Sequence, residues 1–313
     1  MKALISLIAA LASSIAVYGV AFSTVLKMPL TMGFIKEAYD LKADYARAIE
    51  QPKFVVLAGS NAFFGIRCQT IEEISGIPCV NASVTVSLGS AVIFEKGREL
   101  ISPGDTVLMP LEYQVYLARN IKDASLPYLV SYEPQYLNTL DSAKRIQAFF
   151  SFGFTSFVVA TGETALRAMG VRRRISVQSL TPNGDFMGHT EEIAAPYQAS
   201  IGPAPIPDAA ELDRQSPGWK VVQDFLEWAT ANKVRVVGML PATIDLEPVS
   251  DELERALLNL YENSGHDFFK LPNKNQFHRR CFFESYYHLH EGCQIDFSRR
   301  LVLLLRKNDV MPR

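Results

Sequence analysis

Apolar and polar positions along the chain fall into three regimes. Residues 3–26 contain no charge and are bounded by Lys2 and Lys27. A helix of that length reaches roughly 36 Å, enough to cross a hydrocarbon core of about 30 Å. Gly19, Ala21 and Ser23 also supply small residues suited to signal-peptide cleavage. Signal peptides have a shorter apolar region, so length favours an uncleaved anchor. Either reading sends the rest of the chain out of the cytoplasm. A polar, helical stem follows at residues 36–50. From there short β-branched runs alternate with helical spacing. Residues 53–58 (KFVVLA), 77–81, 106–112, 234–240 and 268–271 read as strands. Residues 69–75, 88–101, 219–232, 250–264 and 295–305 read as helices. This alternation predicts an α/β fold, a three-layer α/β/α sandwich on a mostly parallel sheet, preceded by one N-terminal transmembrane helix.

The third regime, about residues 119–216, breaks the alternation. Residues 148–168 are apolar and aromatic but interrupted by Gly153 and Gly162, which favours a core helix over a membrane span, with a helix lying on the bilayer as the lesser alternative. Arg172, Arg173 and Arg174 form a local basic cluster that reads as a solvated surface. Five prolines between Pro196 and Pro217 mark a long loop. The domain reading is therefore residues 1–27 as anchor or signal, 28–52 as stem, and 53–313 as an α/β domain with a divergent insertion.

Composition narrows the class. The chain has 313 residues, 48% apolar and 20% charged, which excludes a disordered or coiled-coil protein. Thirty-one basic and 33 acidic residues leave a net charge of −2, so nothing global recruits nucleic acid. The four cysteines, Cys68, Cys79, Cys281 and Cys293, are spaced 11 and 12 apart within the first and second pairs. Outside the cytoplasm two local disulfides fit these spacings, although four cysteines allow three pairings. No C-x-x-C pair suggests a metal site, and His288, His290 and Glu284 lack a second cluster to support one, so neither metal nor cofactor is expected.

Candidate chemistry starts at Gly59, Ser60 and Asn61, directly after the first predicted strand. A serine there projects from the carboxyl edge of a parallel sheet, where such folds carry their sites. A serine nucleophile requires a base. Of five histidines, His288 lies just ahead of the closing helix, with Glu284 four residues earlier to orient its ring. A dinucleotide site is disfavoured, because these residues lack the G-x-G-x-x-G spacing.

Gly59-Ser60-Asn61, Asn81 and Gly89 around the second strand, and Tyr287-His288-Leu289 with Gly292 resemble the SGNH (GDSL-like) hydrolase superfamily. The resemblance is closer to its membrane-anchored branch, which includes alginate-type polysaccharide O-acetylation proteins and DltD-type teichoic-acid D-alanylation proteins. It implies Ser60 as nucleophile and His288 as base, with Glu284 orienting the base. The Ser60 and Gly89 amides become oxyanion donors. It also implies a surface polysaccharide or acyl-sugar as substrate and a membrane-bound acyl-transfer partner. Two positions depart from the family pattern. Ser285 stands three before His288, where the family has aspartate, and Glu112 ends the third strand where the family supplies asparagine. Asn61, Tyr113 and Tyr287, with Tyr116 and Tyr286, are candidate substrate contacts. The expected function is a membrane-tethered, envelope-facing (periplasmic or extracytoplasmic) O-acyltransferase or esterase. The alternative is a catalytically silent SGNH-like module that binds glycan or docks in an exopolysaccharide assembly.

Overall fold

The computed structural model describes residues 2–21, 23–24, 31–118, 126–139, 141–151, 153–170 and 176–311. Lys27 and the arginines at 172–174 lie outside the described residues. In chain order the helices are α1 (Lys2–Ala21), α2 (Thr31–Arg47), α3 (Ser60–Gly65), α4 (Cys68–Ser75), α5 (Ser90–Arg98) and α6 (Tyr113–Leu117). Then come α7 (Leu126–Tyr132), α8 (Ser142–Phe149), α9 (Phe154–Ala168), α10 (Glu191–Gln198), α11 (Pro217–Ala231), α12 (Asp251–Asn263) and α13 (Glu291–Lys307). The strands are β1 (Phe54–Val56), β2 (Cys79–Asn81), β3 (Thr106–Met109), β4 (Arg235–Met239), β5 (Thr243–Ile244), β6 (Asp267–Phe269) and β7 (Gln276–Phe277).

Contacts divide the chain into two compact units, one of Met1–Lys36 with Lys122–Ser176 and one of Glu37–Ile121 with Val177–Arg313. The second unit holds the sheet. Five strands run in the order β2-β1-β3-β4-β6, and every pairing is parallel. Continuous runs such as Phe-Val-Val in β1 are buried throughout, as strands covered on both faces must be. The chain leaves β1 towards β2, then returns past β1 to β3. With right-handed crossovers, this reversal puts the intervening helices on opposite faces and opens a crevice beyond the carboxyl ends of β1 and β3. Accordingly α13 packs on α3 and α4, while α5 packs on α11 through stacked Phe94 and Phe225, 4.8 Å apart. At the opposite end a buried ion pair, Lys53 Nζ to Asp105 Oδ2 at 2.7 Å, joins the starts of β1 and β3. Asp105 also accepts from the Lys53 and Ser102 amides, so the pair is satisfied.

Helix boundaries follow local chemistry. Ser216 caps α11 by accepting from Trp219 N, with Pro217 opening the helix, and Ser250 caps α12 ahead of Asp251, Glu252 and Glu254. Helix α4 has no cap of its own. Asp185, far away in sequence, accepts from Cys68 N at 2.8 Å and Gln69 N at 2.9 Å. Disulfides join Cys68 to Cys79 and Cys281 to Cys293, the local pairing of the three that four cysteines allow.

In the first unit α1 is apolar enough and long enough to cross a membrane, and none of its residues is buried. This helix, a signal or an anchor, and the two disulfides suggest an extracytoplasmic location. The single core helix expected over residues 148–168 is corrected. The chain breaks between α8 and α9 on either side of Gly153, and Phe150, Val158, Val159, Leu166 and Met169 are exposed. A glycine-interrupted apolar run reads as core only if another layer covers it, and sequence periodicity does not report what lies opposite.

Candidate active site at the carboxyl ends of β1 and β3

The turn after β1 is held from below by the second strand's exit. Ser83 Oγ accepts from Ala58 N at 2.9 Å and donates to Val56 O at 3.2 Å. Asn81, also buried, donates to Ile66 O and Asp185 Oδ1 and accepts from Ser83 N. Beyond Gly59 the chain turns directly into α3, whose first residue is the partly exposed Ser60. Gly59 has no room for a side chain. A Cβ there would lie 2.6 Å from Glu112 Oε1 and 2.7 Å from Val86 Cβ.

Glu112 is buried, and its Oε1 accepts from Asn61 N at 3.2 Å. Asn61 in turn donates through Nδ2 to Pro110 O. The acid at the third-strand position thus accepts from a backbone amide of the turn after β1, where the SGNH pattern has a donor. Buried around it, Asn61 Oδ1 and Tyr113 OH have no hydrogen-bond partner among the described residues, and the Tyr287 hydroxyl lies close to the Tyr113 backbone. Burial, reinforced by Tyr113 and Glu112, pushes the Tyr287 hydroxyl far above its ordinary value, so it stays protonated as a donor.

His288 sits in a turn closed by the bridge between Phe282 and Leu289 and by Phe283 N donating to His288 O at 2.7 Å. The Cys281–Cys293 disulfide ties this turn to the first turn of α13. Within it Glu284 Oε1 lies 2.7 Å from His288 Nδ1. In the neutral ring that contact places the proton on Nδ1, which donates to the carboxylate, and leaves Nε2 as the acceptor. The imidazole stacks on Phe64, with centroids 4.4 Å apart and an 18° tilt. Phe64 follows Ser60 by four residues in α3, so the ring that seats His288 and the serine share one helical face. No hydrogen bond joins Ser60 to His288 among the described residues.

The remaining sites from sequence fare differently. Gly89 adopts φ 77°, and its N–H donates to Val86 O at 3.0 Å, so it reaches an acyl oxygen only by exchanging or sharing that bond. Tyr113, Tyr116 and Tyr287 are buried, and Tyr116 OH bonds Tyr261 OH at 2.9 Å. Their faces are packed in the core, where aromatic residues near strand ends most often lie; Tyr286 alone of the four keeps surface exposed. Cys281, Cys293 and His290 lie together, but the sulfurs are consumed in the disulfide and His290 Nδ1 accepts from Gly292 N.

Sequence reasoning missed His189. It is buried against Phe64, Phe186 and Phe283. Burial lowers its pKa to about 4, against the opposing pull of Glu291 and Glu284, so the ring is neutral near pH 7. Lys42 of the stem was missed too. It is fully buried, donates to Ser83 O and lies 4.7 Å over the Phe63 ring. Burial lowers its pKa to about 7, and Asp185 pulls it back up. No local motif marks either residue, since each is placed by contacts distant in sequence.

Comparison with protein-family models, with curated proteins and with solved structures finds no match to this chain. The α/β fold and the site geometry are what the functional argument rests on.

Proposed function

We propose that this chain is an extracytoplasmic O-acyltransferase or esterase of the SGNH type, tethered to the membrane and acting on a cell-surface polysaccharide through an acyl-serine at Ser60. The observation that carries this reading is the Glu284–His288 pair seated on Phe64, on the face of α3 that begins with Ser60. Among the five histidines, only His288 pairs its Nδ1 with a carboxylate among the described residues. In the reaction Ser60 Oγ attacks the acyl carbonyl as its proton passes to His288 Nε2. The tetrahedral oxyanion is met by the Ser60 amide, and by Gly89 once its bond to Val86 exchanges. Collapse expels the donor alcohol, which takes the proton from His288 and leaves an acyl-serine. A sugar hydroxyl or water then attacks the ester, with His288 again accepting and returning the proton. Asn61 Oδ1 and the Tyr113 hydroxyl, unpartnered and buried beside the turn, supply polar contacts for ordered water behind the site. A membrane-bound acyl-transfer partner is the donor that the family resemblance implies.

A second reading, the catalytically silent glycan-binding or assembly-docking module, is favoured by Glu112 at the position of the third-strand asparagine. The Gly89 amide being already engaged also favours it. Ester turnover separates the two. The full chain in lipid nanodiscs is expected to hydrolyse p-nitrophenyl acetate. Ser60→Ala should abolish the activity, His288→Ala should reduce it by about 10²–10³-fold, and Glu284→Gln should reduce it less. A folded wild type with no turnover above Ser60→Ala would favour the silent module.

A further inference from the structure

The first compact unit groups α1 with α7, α8 and α9. Two features within it point to one environment. Helix α1 exposes its whole apolar length, with Leu7 at 67% and Val17 at 70%, which water does not tolerate over 20 residues. Helices α8 and α9 also leave large apolar side chains uncovered: Ile146, Phe150, Val158, Val159, Leu166 and Met169. The two surfaces are continuous, because the Phe150 ring at the end of α8 meets Tyr18 near the carboxyl end of α1, with centroids 5.3 Å apart. Tyr18 lies about one turn before the carboxyl end of α1, in the carboxyl-terminal part of the uncharged stretch. Phe150 is thereby held against the apolar length of α1, with exposed Ile146 one turn before it on α8. Such amphipathic helices lie in the interface with their apolar side chains in the acyl boundary.

We propose that α1 is retained as a span and that α8 and α9 lie in the phospholipid interface beside it, so that the unit is a three-helix membrane module. This is independent of the chemistry at Ser60. The contact of Tyr18 with Phe150 also bears on signal cleavage, since removing α1 would strip Phe150 of its partner and leave the apolar side chains of α8 and α9 without a span beside them.

Tryptophan quenching tests it in the full chain. Val159→Trp, Met169→Trp and Tyr18→Trp are reconstituted in phosphatidylethanolamine–phosphatidylglycerol nanodiscs with or without brominated acyl chains. Wild type, with Trp219 and Trp228, gives the background. Blue-shifted emission quenched several-fold by brominated lipid at positions 159 and 169, as at position 18, is the expected result. Quenching at position 18 alone overturns the interfacial placement. Blue-shifted but unquenched emission at 159 and 169 that rises with protein loading also overturns it, in favour of contact between copies of the chain. Absence of quenching at position 18 overturns the span.

Discussion

Glu284 stands one residue further from His288 than the aspartate of the SGNH pattern, and its side chain is one methylene longer. The two differences offset each other, giving the 2.7 Å contact. The sequence revealed both residues but not their distance, because the closure of the turn between Phe282 and Leu289 decides it. His189 shows the opposite case. It has no motif, and its place against Phe64 follows from long-range packing. Its folded pKa, about 4, lies below the ordinary 6.5. Between those values the unfolded chain therefore binds more protons, so stability is full above about 6.5 and falls as pH drops towards 4. The loss reaches about 3 kcal/mol at the lower end. Thermal unfolding followed from neutral pH to about pH 4.5 should show wild type losing more stability than His189→Phe; parallel losses would mean that the ring is not buried neutral.

At the scale of elements, β-branched runs marked four strands of the parallel sheet, because a strand buried on both faces has a continuous apolar sequence, and Phe268-Phe269 marked the edge strand β6. Helices with local caps, such as α11 and α12, were equally legible. Helix α4 was legible as a helix but not in its cap, which Asp185 supplies from within the segment at 119–216. Residues 148–168 misled for a related reason: hydrophobicity was read as core where the apolar side chains are exposed. The disulfides give a prediction at this scale. Loops closed by bonds 11 and 12 residues apart each contribute about 3 kcal/mol. Cys68→Ser/Cys79→Ser and Cys281→Ser/Cys293→Ser should therefore melt earlier by similar amounts. Only the second pair, which clamps the His288 turn onto α13, should also lower ester turnover, on the order of tenfold below the first pair at a temperature where both are folded. Equal turnover in the two double variants would contradict the clamp.

For the whole molecule, the reversal of strand order between β1 and β3 is what makes one crevice of two distant sequence blocks. Ser60 follows one strand and Glu112 the other, while the chain's last helix, α13, packs on α3 next to the His288 turn. The buried Lys53–Asp105 pair fixes the same two strands at their far ends, so the crevice opens on a braced sheet. In this arrangement Ser60 is the proposed nucleophile. The direct measurement is intact-protein mass spectrometry of the full chain after treatment with a fluorophosphonate, with peptide mapping of the adduct. One phosphonyl group on Ser60, absent from Ser60→Ala and formed far more slowly in His288→Ala, is the predicted result. A folded wild type that takes no label, or an adduct elsewhere that persists in Ser60→Ala, would contradict it.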